Sequence, residues 1–233
     1  MNPGVNRVGE DGFVDAVVAA IVEAASEAQQ DGGWFGLSLC GGSTPRAIYE
    51  ALAELPEGAI DWSRVRVTFG DERPVPPDHA ESNYRMANEA LLGRVPIPDK
   101  NVLRIEAERG AAEAAQHCEE GLRAWAEADG DELFVHDLVL LGMGDDGHTA
   151  SLFPGTAALD ENEKWVVENY VPKFDVQRIT MTYPLINAAR CVMFLITGED
   201  KKGAVVERIL AGGSDDPAAG VEPSGDLYWI LGW

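Results

Sequence analysis

Hydrophobic positions along the chain follow two periods. Between Gly12 and Gln30, Phe13, Val14, Val17, Val18, Ile21 and Val22 recur at helical spacing, which predicts an amphipathic helix with Asp11 as its N-cap. Asp31-Gly32-Gly33 stops it. Residues 34–40, 65–69, 137–142 and 191–197 are short, mostly apolar runs, long enough for buried strands and too short for helices. Helices are predicted over 46–55, with Pro45 in the first turn, over 82–92, with Ser82 as cap, and over 111–128, 184–189 and 203–210. Further extended segments are expected at 101–105, 165–170, 178–182 and 227–231, the last as an edge strand, and Asp71-Glu72-Arg73-Pro74 as a polar loop. Strands alternating with helices imply an α/β fold: a Rossmann-like, mostly parallel sheet with helices on both faces, plus a small β edge subregion. No Pro/Gly/Ser-rich or charged linker interrupts the chain, so residues 1–233 are expected to form one α/β domain.

The net charge of −22, from 40 acidic against 18 basic residues, alters what partners are expected. Such a surface repels phosphodiester backbones and anionic lipid, so neither nucleic acid nor membrane is an expected partner. A site for a small anion must therefore gather cations locally against the global field. Cys40, Cys118 and Cys191 are odd in number and widely spaced, which suits reduced thiols in a cytoplasmic protein and not a disulfide framework or zinc site. The opening Met-Asn-Pro-Gly-Val-Asn-Arg lacks a leader's apolar core, and no window is long enough to span a bilayer. A cytoplasmic monomer or small homo-oligomer is expected.

Candidate chemistry collects where strands end. The apolar runs reaching Gly41, Gly70, Gly142 and Gly198 each pass into glycine and polar residues, and in a parallel sheet these ends share one edge. Gly41-Gly42-Ser43-Thr44-Pro45 offers backbone N–H groups, two hydroxyls and a helix N-terminus, either as a phosphate cradle or as an ordinary capped turn. It has neither a Walker A ending nor dinucleotide-binding spacing. Asp71-Glu72-Arg73 reads locally as a knot of charges, or as an arginine held ready for an anion. Asp146-Gly147-His148 is more pointed, because a carboxylate beside an imidazole sets its tautomer for general acid–base work. No second histidine stands at ligand spacing, so no metal is expected; His117 and His136 read as structural. Ser151 lacks the Gly-x-Ser-x-Gly elbow of a nucleophile. Lys201 sits at a helix start, against the macrodipole's preference, which suggests a nearby anion, with Lys202 facing solvent and Arg178 as a second cation.

Together these segments resemble the 6-phosphogluconolactonase family, within a superfamily that includes glucosamine-6-phosphate deaminases. The resemblance covers nearly the whole chain. It is carried by Cys40-Gly41-Gly42-Ser43-Thr44-Pro45, Gly70-Asp71-Glu72-Arg73, Glu81-Ser82-Asn83-Tyr84-Arg85, the run from Gly142 through Gly147-His148-Thr149-Ala150-Ser151-Leu152-Phe153-Pro154, Arg178-Ile179-Thr180, and Gly198-Glu199-Asp200-Lys201. It implies cofactor-free and metal-free hydrolysis of a phosphosugar lactone, 6-phospho-D-glucono-1,5-lactone, in the oxidative pentose phosphate pathway. Carried over by position, His148 would activate water and Asp146 would orient it, while Arg73 would steady the phosphate or the carbonyl oxyanion. Lys201 and Arg178, with Gly42, Ser43 and Thr44, would hold the phosphate; Asp71, Glu72, Gly144 and Lys173 are further candidates.

An aminosugar-6-phosphate deaminase would be similar in its glycine-rich turn, but it places a glutamate where this chain has Phe153. A non-catalytic phosphosugar sensor is the other alternative; no DNA-binding module accompanies the pocket. The chain departs from the lactonase pattern at Gly220 and Glu222, where basic residues are common, and in a final strand that lacks the usual aspartate.

Overall fold

The buried apolar runs assemble into one parallel sheet. The computed structural model describes residues 4–233; Met1, Asn2 and Pro3, which open the stretch read above as lacking a leader, lie outside the described residues. In chain order come β1 (Gly4–Arg7), α1 (Glu10–Ala28), β2 (Phe35–Leu39), α2 (Ser43–Ala53), β3 (Val65–Phe69), β4 (Asp71–Glu72), α3 (Asn83–Ala87), α4 (Ala111–Asp129) and β5 (Leu138–Leu141). They are followed by β6 (Val166–Val171), β7 (Val176–Met181), α5 (Tyr183–Ile186), β8 (Cys191–Ile196), α6 (Glu199–Leu210) and β9 (Asp226–Leu231). The main sheet has the order β1-β9-β8-β5-β2-β3, every neighbour parallel. Strands β2, β3 and β5 are buried at every position, which is why they read as continuous apolar runs and not as alternating ones.

The chain passes from β2 through α2 outward to β3, then returns through α4 to β5 on the other side of β2. The carboxyl ends of β2 and β5 therefore flank the switch point, where open α/β sheets leave a crevice. A second, antiparallel sheet of order β4-β7-β6 begins at the same edge. Only Gly70 separates β3 from β4, and its carbonyl accepts from Met181 N at 2.9 Å. This is the small β subregion beside the mostly parallel sheet. Helix α1 buries Phe13, Val17, Ile21 and Ala25 and packs on α2, β2 and β9, while α4 lies against β6 and β7.

Several local expectations are corrected. Helix α1 begins at Glu10 with Gly9, not Asp11, at its N-cap and no side-chain cap. Helix α2 starts at Ser43 and α6 at Glu199, so Lys201 and Lys202 both fall within the first turn of α6. Residues 101–105 make only a bridge from Val102 to Val67 before a 3-10 turn at Ala107–Arg109, too few ladder bonds for a strand. Strand β9 is not an edge, because β1 pairs along its outer side. That strand was not anticipated: Gly-Val-Asn-Arg carries one apolar side chain and has no period of its own. Asp71 and Glu72, read as loop, pair with Thr180 and Ile179. Among the described residues no helix is long and apolar enough to cross a membrane.

Candidate active site

Beyond Leu141 the chain folds over the sheet's carboxyl edge in a closed loop. Gly144 N donates to His148 O at 2.9 Å, and Thr149 Oγ1 donates back to Gly142 O at 2.8 Å. Gly144 is required by contact: a Cβ there would stand 2.1 Å from His148 Cε1 and 2.2 Å from Nδ1. Gly147 is required twice, by φ of 77° and by Asp216 Oδ1, which a Cβ would meet at 2.5 Å. The loop thus presses its backbone against the imidazole.

Asp146 Oδ1 lies 2.5 Å from His148 Nδ1. An ionised carboxylate can only accept, so Nδ1 carries a proton, and in the neutral imidazole the lone pair is then on Nε2. The second carboxylate oxygen, Oδ2, accepts from Lys173 Nζ at 2.7 Å. Burial acts to raise the Asp146 carboxyl, but the hydrogen bonds from Lys173 and His148 outweigh it and hold the group down at about 2. On its other side the imidazole stacks on Phe153, centroids 4.0 Å apart and planes 21° from parallel. Phe153 in turn meets the edge of Phe174.

Asp71 and Glu72 are buried and fully engaged. Asp71 Oδ1 accepts from Asn83 Nδ2 at 2.9 Å and Oδ2 from Ser151 Oγ at 2.6 Å. Glu72 Oε1 accepts from the backbone N–H groups of Arg73 and Asn83, and Oε2 from Tyr84 N and Ser82 Oγ. Burial raises the Glu72 carboxyl against those backbone donors. These contacts give Asp71 the part of tying the histidine loop to β4, and Glu72 that of capping α3.

Arg73 follows directly on β4, whose last pair is Glu72 with Ile179, and Arg178 precedes Ile179 on β7, close enough for the two charges to interact. Burial lowers the Arg178 guanidinium, and the neighbouring charge of Arg73 lowers it further. Arg73 Nε is buried with no partner. Among the described residues, every other arginine is paired with a carboxylate. In a chain this acidic, two neighbouring guanidinium groups with no carboxylate in salt-bridge contact are a candidate anion-binding corner. Arg73 Nη1 donates to Glu81 O and Arg178 Nη1 to Gln177 O, while the charges of Asp71, Glu81 and Glu72 act on Arg178 from nearby. The uncapped N-termini of α2 and α6 open on the same edge, joined by the Thr44–Thr197 hydroxyl contact of 2.7 Å. Gly42 and Ser43 are exposed and Thr44 half-buried. Lys201 is exposed, whereas Lys202, expected to face solvent, is half-buried; burial lowers its ammonium while Asp145 opposes the shift.

Phe174, Asn83 and Thr197 escaped the sequence reading as site residues. The one local signal for Phe174 was an aromatic next to a lysine in a turn; Asn83 lies in a segment that carries the resemblance and Thr197 closes a strand run, but neither was singled out.

Fold and site together define an α/β protein of the doubly wound class, with an Asp–His pair in the loop that follows β5 at its switch point. The chain belongs to the family described as Glucosamine-6-phosphate isomerases/6-phosphogluconolactonase, which matches it over residues 9–229. It is 44% identical to the 6-phosphogluconolactonase of Homo sapiens over 203 residues, 84% of this chain and 78% of that one. The 6-phosphogluconolactonase of Nostoc sp. is 40% identical over 203 residues, covering 85% of this chain and 82% of the relative. The crystal structure of 6-phosphogluconolactonase from Thermotoga maritima superposes with a TM-score of 0.86 at 30% identity, covering 98% of this chain and 99% of that one.

Proposed function

We propose that the chain is an enzyme that hydrolyses 6-phosphogluconolactone to 6-phosphogluconate, with His148 as general base, Asp146 as its orienter and the Arg73–Arg178 corner as anion holder. The observation that carries the reading is the setting of His148, with its Nδ1 committed to Asp146 and its face covered by Phe153. The relatives at about 40% identity bear the same activity in their names.

His148 Nε2 takes a proton from water as that water attacks the lactone carbonyl carbon, and the imidazolium is stabilised by Asp146. Collapse of the tetrahedral oxyanion expels the ring oxygen, which receives the proton back from Nε2. Arg73 and Arg178 hold phosphate, together with Lys201 and the N–H groups and hydroxyls of Gly42, Ser43 and Thr44. Binding energy taken from the phosphate positions the distant carbonyl. A lactone is already an activated ester, so positioning and one base suffice without a cofactor or metal.

Phe153 argues against the deaminase reading, because ring opening there uses a carboxylate at this position and an aromatic ring cannot titrate. The surface charge of −22 argues against a sensor that reads nucleic acid. The same proposal includes a single α/β unit working in the cytoplasm as a monomer or small homo-oligomer, with a small-molecule substrate and no nucleic-acid or membrane partner. The buried thiols of Cys40 and Cys118 support a reducing compartment. The test is a coupled assay on freshly generated lactone, with and without chelator. Acceleration that chelator leaves unchanged is expected; faster release of ammonia from glucosamine 6-phosphate would sink the assignment.

A further inference from the structure

The turn joining β6 to β7 reaches the histidine from outside its own loop. Val171 and Val176 are the last paired residues of the hairpin, and Pro172, Lys173, Phe174 and Asp175 form its tip. The tip is a defined turn: Phe174 N donates to Val171 O, Asp175 N to Pro172 O, and Tyr170 Oη to Asp175 Oδ1 at 2.6 Å. Asp175 takes the left-handed conformation with φ of 53°. Two adjacent tip residues then land on the two partners of the imidazole. Lys173 Nζ donates to Asp146 Oδ2 at 2.7 Å, and Phe174 sets its edge to Phe153 with centroids 5.8 Å apart at 82°.

We infer that the β6–β7 hairpin tip belongs to the catalytic apparatus, with Lys173 as a positioning residue that fixes Asp146 and, through it, the plane of the His148 ring. The inference rests on the assignment of His148 as general base. Asp146 has two oxygens and each has one side-chain partner, His148 Nδ1 on Oδ1 and Lys173 Nζ on Oδ2. Without the lysine, Oδ2 loses its only side-chain partner among the described residues, and the carboxylate is free to turn away from Nδ1. A pair this exposed adds little to folding, so its consequence lies in the orientation of the base. The ammonium also offsets the charge of Asp146 at the imidazole. The other charged groups around the pair are Asp145, 3.9 Å from Lys173 Nζ, Asp216 beside Gly147 with Arg208 of α6 ion-paired to it at 2.7 Å, and Lys202 on α6 near Asp145. Phe153 and Phe174 add none.

The experiment compares wild-type protein with Lys173→Met and Lys173→Arg in steady-state lactone hydrolysis across pH, with thermal melting as a control. The methionine variant is expected to melt near the wild-type temperature, to lose about tenfold or more in kcat with KM changed by less than about twofold, and to keep most of its loss at every pH. Its acid limb of kcat/KM should move to higher pH, because an unneutralised Asp146 carboxylate favours the imidazolium. Lys173→Arg should restore most of both. A methionine variant with wild-type kcat and an unmoved limb would reduce Lys173 to a surface ion pair and overturn the inference alone. A raised KM with full kcat would make it a phosphate ligand and overturn it equally. Wild-type protein no faster than spontaneous hydrolysis would overturn the functional reading and this inference with it.

Discussion

The rings of His148 and Phe153 stack 4.0 Å apart at the carboxyl edge of the sheet, and Phe153 is buried. An apolar ring against the imidazole keeps out both water and charge. Phe153→Glu should favour the imidazolium, shift the acid limb of kcat/KM upward by about one pH unit and lower the rate at neutral pH. Phe153→Leu, which keeps the site apolar, should cost less than about tenfold. pH–rate profiles of the two variants check this; an unmoved limb in the glutamate variant would remove Phe153 from any electrostatic role.

The Asp146–His148 contact is the geometry on which the proposed base and its orienter rest. His148→Ala should lower kcat by about 10²- to 10⁴-fold. Asp146→Asn presents an amide that can donate to Nδ1 and so favours the wrong tautomer, with a loss of about 10²-fold or more. Calorimetric titration with 6-phosphogluconate should find affinity within a few-fold of wild type in both. Loss of product binding in step with turnover would make the pair structural.

Burial and the charge of Arg73 lower the Arg178 guanidinium, against the carboxylates of Asp71, Glu81 and Glu72, and the proposed phosphate would relieve the repulsion between the two arginines. Arg73→Met and Arg178→Met should each raise KM by about tenfold while leaving the unliganded protein as stable as wild type or slightly more so. Saturating product at about 100 Kd should stabilise wild type by ~2.7 kcal/mol, read as a rise in Tm. The double variant should lose that rise. Lys201→Ala should also raise KM and leave kcat alone, which steady-state kinetics tests directly.

His136 is fully buried beside β5, with Nε2 on Thr68 Oγ1 at 2.8 Å and Nδ1 unpartnered. Burial pushes its imidazole down from 6.5 to about 3. Between those values the unfolded chain takes up a proton that the folded chain refuses, so stability falls as pH drops through this window. The contribution to the slope approaches ~1.4 kcal/mol per pH unit. His136→Phe should flatten the denaturation free energy measured between pH 6.5 and 4. An unchanged slope would assign the acid sensitivity to other groups.

What was legible in the chain follows from how far each signal reaches. The buried strands β2, β3, β5 and β8 announce themselves as apolar runs, because a parallel strand covered on both faces has no polar side to show. The glycines that close those strands marked the loops, and Asp146 and His148 stand two residues apart, so their pairing is a local matter. Strand β1 and the two-residue β4 stayed hidden, since four and two residues are too short to carry a period.

Sequence alone therefore determined the α/β class, the strand ends where chemistry collects and the Asp–His pair, all of them set by contacts within a few residues or by the need to bury a run of apolar side chains. Tertiary structure decided the rest. The strand order put β1 outside β9, and the pairing of β4 with β7 brought Arg73, just beyond β4, near Arg178. The hairpin tip carried Lys173 across 27 residues to Asp146. Each of these depends on which strand lies beside which and in what register, a choice made by the packing of the whole sheet and not written in any one segment.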